Sequence, residues 1–504
     1  MADHQLLNSN SGPRPLAGLA YTILLAGVLV YIIRRLFFNP LSKIPGPWYT
    51  NLTGIVFKIH TSRGYGPIYV DDLHKKYGPI VRTGPSSVDI MDLEGVKRIH
   101  RVKADYVKSD FYKGVPPGKE NMHNTQDKEM HRRHRKLLSA PISESGLKPK
   151  IPLIEVKVRL MVERMREEMK NKGTVDVFKW WLFMTTDVIA QLTFGQSFEM
   201  LESGKINEFV EDLQVAGPIA SFASQFCGLA NFVVKVKIPF MGSMRDQINR
   251  MSVYSQTQLD NLKEKLDNNA VDEEQYLMSR LVRGLTLDGE SMSEIEVVRD
   301  AELYIVAGSD TTSNTLTYVT WSICRDPSLR DRVVAELSAL PPNFTDSDLK
   351  QLSLLNQCIT EGLRCFPVVA GGLPRIVPEE GAAFGNGKGK FWVPGGTEVT
   401  TQNWSLHRNP EVFPEPQSFR PERWDKERTT QEMRDSWMPF GGGSRNCIGM
   451  HLAYIEMRLG LAYFFRAFPD SKVSTKEGMC DADMEQALYF IASPRKHRCL
   501  IDVA

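Results

Sequence analysis

The run Phe440-Gly441-Gly442-Gly443-Ser444-Arg445-Asn446-Cys447-Ile448-Gly449 brings a thiol, a cation and freely turning backbone together. Behind it Ile448, Leu452, Ile455, Leu459 and Phe464 recur at helical spacing, so Cys447 stands at or just before the N-terminus of a buried helix. Unpaired N–H groups and the positive end of the helix dipole favour a thiolate there. Gly443 and Gly449 permit a tight turn and close approach to a flat ligand, and Arg445 offers a fixed cation. Thiolate, open backbone and arginine together suit an iron porphyrin carrying propionates. The same residues admit a buried structural cysteine, a nucleophile served by a distant base, or half a zinc site with His451. The first needs neither the glycines nor the arginine, and no second pair at zinc-ligand spacing exists among the 7 cysteines.

Two other clusters carry polar chemistry. The stretch from Glu294 to Cys324 has helical periodicity, interrupted by Gly308 and the polar run Ser309-Asp310-Thr311-Thr312. Buried polar groups cost free energy unless bonded, and hydroxyls can bond carbonyls one turn back and open the helix locally. The run is either a solvated kink or a groove that holds a small ligand. Glu361 and Arg364 stand one turn apart on one helix face; alone they would be a surface ion pair worth under ~1 kcal/mol.

The cysteine loop resembles the F-x-x-G-x-R-x-C-x-G signature of the cytochrome P450 superfamily, with Phe440, Gly443, Arg445, Cys447 and Gly449 in place. In the same order that superfamily shows, Ala307 to Thr312 resembles its oxygen-activating stretch. Glu361-Gly362-Leu363-Arg364 resembles its E-x-x-R helix, and Phe419-Arg420-Pro421-Glu422-Arg423-Trp424 the segment that completes the ion-pair network. The resemblance covers residues from about 45 to the end. It implies haem b (iron protoporphyrin IX) with Cys447 as the axial iron ligand. It makes Asp310 a proton source and Thr311 a hydrogen-bonding partner of activated oxygen, and Glu361, Arg364 and Arg423 a structural network. It also implies propionate contacts from Arg375 and from the helix containing His131-Arg132-Arg133-His134-Arg135-Lys136. There the usual W-x-x-x-R reads as His131 and Arg135, so a histidine replaces the tryptophan. Arg132, Arg133 and Lys136 are either a solvated face or a steering patch for an acidic reductase.

The implied reaction inserts one atom of O2 into a C–H bond of a hydrophobic small molecule and releases the other as water. The chain shows no dinucleotide fingerprint, so electrons must come from NADPH through a separate NADPH–cytochrome P450 reductase, with cytochrome b5 as a further donor. A reductase-independent haem-thiolate isomerase or dehydratase is the enzymatic rival, and a haem sensor without turnover the rival from another class. The Asp310-Thr311 pair argues against both. Family topology places Phe111, Tyr112, Val306, Ala307, Val369 to Leu373 and Leu488 to Phe490 around the substrate, which makes the pocket apolar. The chain's motifs look like filamentous-fungal enzymes of secondary metabolism, with polyketide-derived aromatics or terpenoids as substrates and xenobiotic detoxification as the alternative.

The resemblance implies that these residues are positioned by a mainly α fold with a smaller β-rich lobe, the cytochrome P450 fold, and the apolar N-terminus adds one transmembrane helix before it. Within 504 residues the expected division is a lumenal tail (1–15), an anchor (16–33), a basic, proline-rich hinge (34–48) and a haem-thiolate domain (49–504). Leu16 to Ile33 has no charge and is near the ~20 residues that cross a bilayer. Arg34 and Arg35 put the following chain on the cytoplasmic side. The resemblance implies single-pass anchoring in the endoplasmic reticulum. A cleaved signal peptide is the rival, but no small-residue cleavage site follows. Sequons at Asn51, Asn343 and Asn403 would then stay unmodified. The apolar stretch from Phe222 to Phe240 is either core or a second membrane contact. A net charge of +2 gives no reason to invoke nucleic acid, and scattered, odd-numbered cysteines indicate reduced thiols.

Overall fold

A computed structural model describes residues 14–115, 119–226, 228, 232, 242–385 and 387–503. Its first helix, α1 (Arg14–Phe37), contains a segment, Gly18–Phe37, that is long and apolar enough to cross a bilayer and is not buried against the rest of the protein. Most of the tail expected to be lumenal lies outside the described residues, as does most of the apolar stretch from 222 to 240, of which Phe222 is exposed.

Strands β1 (Ile80–Gly84) and β2 (Ser87–Ile90) form an antiparallel hairpin with Val81 opposite Asp89. Helix α2 (Leu93–His100) follows, its N-terminus capped by the Asp92 carboxylate, which accepts from the Gly95 N–H at 2.9 Å. Strands β3 (Val107–Lys108), β4 (Arg375–Ile376) and β5 (Glu398–Thr400) complete a five-stranded sheet in the order β1-β2-β5-β4-β3. Its register pairs Val88 with Val399 in parallel and sets Lys108 opposite Arg375. That last pairing brings two like charges together, which destabilises a sheet unless an anion answers them.

The helical layer contains α3 (Lys128–Ile142), α4 (Ile151–Lys172), α5 (Val177–Phe194), α6 (Glu294–Arg325), α7 (Ser353–Cys365) and α8 (Met450–Ala467). Helix α5 is apolar on nearly every side and correspondingly buried all round, so it forms the interior of the layer. Trp181 of α5 meets Phe464 of α8 with ring centroids 5.9 Å apart. A short hairpin of β6 (Gln486–Leu488) and β7 (Ala492–Pro494) packs through Leu488 and Ala492 against Ala370. The architecture is thus mainly helical with a smaller β-rich part, the expected class.

Helix α6 begins at Ser293, whose N–H and Oγ both donate to the Glu296 carboxylate at 2.8 and 2.9 Å. It then runs without a break through the polar run, where a local opening was expected. The hydroxyls back-bond without displacing the helix: Ser309 donates to the Ile305 carbonyl at 2.7 Å and Thr311 to that of Ala307 at 2.8 Å. Gly308 also has a reason other than a kink. A Cβ there would stand 2.7 Å from Ile189 Cγ1 of α5, so the glycine lets the two central helices touch. Gly308→Ala should therefore destabilise the fold by ~1–3 kcal/mol through overpacking, and in urea denaturation its cost should shrink when it is measured in an Ile189→Ala background.

Candidate active site

The loop before α8 closes on itself through a hydrogen bond from the Cys447 N–H to the Phe440 carbonyl at 2.8 Å. Gly443 lies at φ 61°, and a Cβ there would fall 2.0 Å from the His100 carbonyl oxygen at the end of α2. This glycine serves the seam between the loop and α2, where ligand approach had been expected to explain it. Gly449 stands beside the sulfur, with its N–H donating to the thiol. Protein surrounds Cys447 on all sides, yet its side chain keeps open surface, so it faces an internal cavity. Ala307, midway along the buried α6, is exposed as well. The sulfur is near enough to α6 to act electrostatically on Tyr304, one turn before Ala307. Burial raises the Cys447 thiol above its ordinary range, outweighing the Gly449 N–H and the Arg135 charge. A metal cation at the sulfur would reverse that balance.

Cations gather along one side of this space. Lys108 and Arg375 are buried, and Arg445 is half-buried. Among the described residues none of the three has an ion-pair partner; each finds only neutral oxygens. Lys108 donates to the His123 carbonyl, Arg375 to Tyr112 Oη at 3.0 Å, and Arg445 to the Thr125 carbonyl at 3.2 Å. Burial and the neighbouring arginines push Lys108 well below the usual lysine range, and burial with Arg375 pulls Arg445 down to about 10. His131 borders the group and is lowered to about 3 by burial and then by Arg445, Arg135 and Lys108. Buried charges without counterions are costly, so the cluster is suited to buried anions, and two carboxylates of a porphyrin meet that need. His131, Arg375 and Arg445 were expected here. Lys108 and His123 were not, because nothing local signals that β3 pairs with β4.

Arg135, for which the resemblance implies a propionate contact, is engaged at two of its nitrogens by the cysteine loop. Its Nη1 donates to the Asn446 carbonyl at 2.7 Å and its Nη2 to Asn446 Oδ1. It ties α3 to the residue preceding Cys447 and places a positive charge near the sulfur. The outer residues of α3 are also engaged: Arg132 with Glu129 and Glu290, Arg133 with Glu296, and Lys136 with Asp288. The basic face is therefore neutralised by this chain's own carboxylates, and it loses its value as a steering patch. His134, buried between Asp300 at 2.5 Å and Glu296 at 3.2 Å, completes the α3–α6 contact; burial opposes its charge, but the two carboxylates raise it overall.

Glu361 and Arg364 of α7 are both 0% exposed and form a two-pronged pair, Nε to Oε2 and Nη2 to Oε1, each at 2.8 Å. Arg364 also donates to the carbonyls of His407 and Pro416 at 2.8 Å. Arg423 approaches Glu361 Oε1 at 3.4 Å, while the Trp424 indole N–H is the closer donor, 2.9 Å from Oε2. Two routes lead from this pair to the cysteine loop. His407 Nε2 accepts from the Met438 N–H at 3.0 Å, and rings run Trp424–Trp437–Phe440 with centroids 5.9 and 6.5 Å apart. Arg364→Ala strands a buried carboxylate, so it should cost ~3–5 kcal/mol in chemical denaturation.

Of the other pocket expectations, Phe111, Val306, Val369, Leu373 and Phe490 are half-buried. Ala370 and Leu488 are packed away with Ala492 in a small core. The sequon residues Asn51 and Asn403 are buried, and Asn403 Nδ2 donates to the Val369 carbonyl at 3.1 Å; Asn343 is exposed.

The family profile Cytochrome P450 matches residues 44–499. The chain belongs to the cytochrome P450 family. Among similar curated proteins, cytochrome P450 monooxygenase tazI of Aspergillus terreus is 40% identical over 96% of this chain and 98% of its own length. Cytochrome P450 monooxygenase orf2 of Aspergillus niger is 36% identical over 97% of each chain. Cytochrome P450 monooxygenase stcB of Emericella nidulans is 31% identical over 93% of this chain and 90% of its own. As a cytochrome P450 the protein is a haem-dependent monooxygenase, and the cation-lined cavity beside Cys447 fits that cofactor.

Proposed function

We propose that Cys447 would supply the thiolate that binds haem b and that Lys108, His131, Arg375 and Arg445 would hold its propionates. The observation that carries this reading is the group of buried and half-buried cations, without an ion-pair partner among the described residues, beside the cavity onto which Cys447 opens. Bound there, haem supplies dioxygen activation, with the thiolate donating electron density that favours O–O cleavage. The chain supplies the rest. Arg135 and the Gly449 N–H stabilise negative charge on sulfur, and the Glu361–Arg364 pair fixes the loop.

Asp310 and Thr311 serve proton delivery. Burial pushes the Asp310 carboxyl up to about 6, so it can take and release a proton near neutral pH. Thr311 holds its hydroxyl against the Ala307 carbonyl at 2.8 Å, ready to exchange that bond for one to a ligand in the cavity. The net reaction consumes substrate, O2, NADPH and a proton and yields hydroxylated substrate, water and NADP+. Electrons come through NADPH–cytochrome P450 reductase, with cytochrome b5 as a further donor. The apolar α1 anchors the protein in the endoplasmic reticulum with residues 49–504 in the cytosol. The half-buried apolar pocket residues and the fungal origin of the relatives support a hydrophobic secondary metabolite, polyketide-derived or terpenoid.

The carbon monoxide difference spectrum of dithionite-reduced membranes tests the ligand: a long-wavelength Soret band is expected, and Cys447→Ala should abolish it. Thr311→Ala should retain the band but divert NADPH electrons to hydrogen peroxide; normal coupling in that variant would remove Thr311 from proton delivery. Because Asp310 is protonated below about 6, its proton-donating form declines as pH rises through that value. Coupled turnover should fall across the same interval, and Asp310→Asn should lose this limb of the profile.

A further inference from the structure

Four rings from separate parts of the chain meet beside the cation cluster. Phe111 and Tyr112 follow β3, His123 precedes α3, and Phe490 forms the turn between β6 and β7. Their centroids are 5.2 Å apart for Phe111–Tyr112, 5.5 Å for Tyr112–His123, 6.4 Å for His123–Phe490 and 6.3 Å for Phe490–Phe111, so the contacts form a closed circuit. Tyr112 is held in place by Arg375 at its hydroxyl and by Lys108 Nζ 4.1 Å from its ring centroid. The Phe111 and Phe490 rings lie within 24° of parallel, and both residues are half-buried.

The backbone around His123 is fully engaged: its N–H donates to Asn121 Oδ1 at 3.0 Å, and its carbonyl accepts from Lys108. Its Nε2, however, is buried without a hydrogen-bond partner among the described residues. An orphaned buried nitrogen costs ~1–3 kcal/mol, which a bound ligand can recover. Burial and the charges of Lys108, Arg375 and Arg445 keep the ring neutral, so it has one donor and one acceptor nitrogen. The same positive field favours a ligand atom with partial negative charge.

We propose that His123, Phe111 and Phe490 form the specificity pocket for a planar, conjugated substrate whose hydroxyl or enolic oxygen hydrogen-bonds His123 Nε2. A phenolic hydroxyl both donates and accepts, so it suits either tautomer of the ring. Flat faces in edge and offset contact reward a flat ligand beyond simple area burial, whereas a puckered saturated skeleton gains only the area. The pocket thus selects aromatic polyketide chemistry over terpenoid chemistry. This inference rests on the proposed haem-thiolate site, because the substrate must share the Cys447 cavity.

The test uses the full-length, haem-loaded protein in detergent, titrated with 2-naphthol, naphthalene and trans-2-decalol while the haem absorbance is followed. The wild-type carbonyl spectrum is recorded first, so failure of the haem-thiolate reading would show there before any titration. The wild type should bind 2-naphthol about tenfold more tightly than naphthalene and more tightly still than the saturated alcohol, tenfold being ~1.4 kcal/mol. His123→Phe should erase the advantage of 2-naphthol over naphthalene and keep the preference for flat rings; His123→Gln, which retains a polar amide, should recover part of it. Phe490→Leu should narrow the gap between naphthalene and the saturated alcohol without removing the hydroxyl effect. Unchanged 2-naphthol binding in His123→Phe, or equal binding of the saturated alcohol, would overturn the assignment. So would loss of haem from both His123 variants, which would make Nε2 a propionate ligand.

Discussion

The Glu361–Arg364 pair is the constraint on which the site depends. Two charges taken wholly out of water persist only when every oxygen and nitrogen around them is placed, and here the placement extends well beyond the pair. Glu361 gathers the Arg420 N–H, the Trp424 indole and Arg423, while Arg364 gathers carbonyls from the stretch His407–Ser418. A segment with little regular structure is thereby held rigid by polar contacts. The cysteine loop takes its position from the end of that segment through Met438 and Phe440. A surface ion pair of the same spacing could not do this, because water would satisfy either partner alone.

A second constraint is electrostatic. The protein places Lys108 and Arg375 opposite one another, brings Arg445 to the same wall and, among the described residues, leaves Asp and Glu out of ion-pair contact with all three. On the outer face of α3 the opposite choice is made: Arg132, Arg133 and Lys136 each meet a carboxylate. The contrast separates charge kept for a ligand from charge used to join elements. It also explains why a cationic run that looks like a docking patch contributes to the α3–α6 seam instead.

What was legible in the sequence was what is local along the chain. The thiol, its glycines and its arginine lie within one loop, and the glutamate and arginine of α7 are one turn apart, so spacing alone reveals them. The apolar N-terminal helix follows from composition in the same way, while the mainly helical class follows from the family resemblance those motifs carry. Lys108 and His123 were missed because their meaning depends on strand pairing and loop packing between distant segments. Trp424 stood inside a motif already noticed, but a tryptophan next to an arginine does not declare which of them reaches Glu361 first. Gly308 was read as an interruption of its helix, whereas its reason lies on α5 at Ile189. Arg135 shows the same limit: spacing places it on the right face of α3, and only the fold shows that Asn446 takes its guanidinium.

The like-charged wall also bears on the life of the chain in the cell. Lys108, Arg375 and Arg445 repel one another until anions arrive, so the native fold draws part of its stability from its cofactor by mass action. Each tenfold rise in free porphyrin above its dissociation constant adds ~1.4 kcal/mol to that fold. Synthesis of the polypeptide and supply of iron porphyrin are then coupled: chains made faster than the pigment is delivered dwell in loosened states and fall to proteolysis. On the proposed haem assignment, the yield of mature protein should therefore rise when porphyrin supply is raised at constant synthesis of the chain.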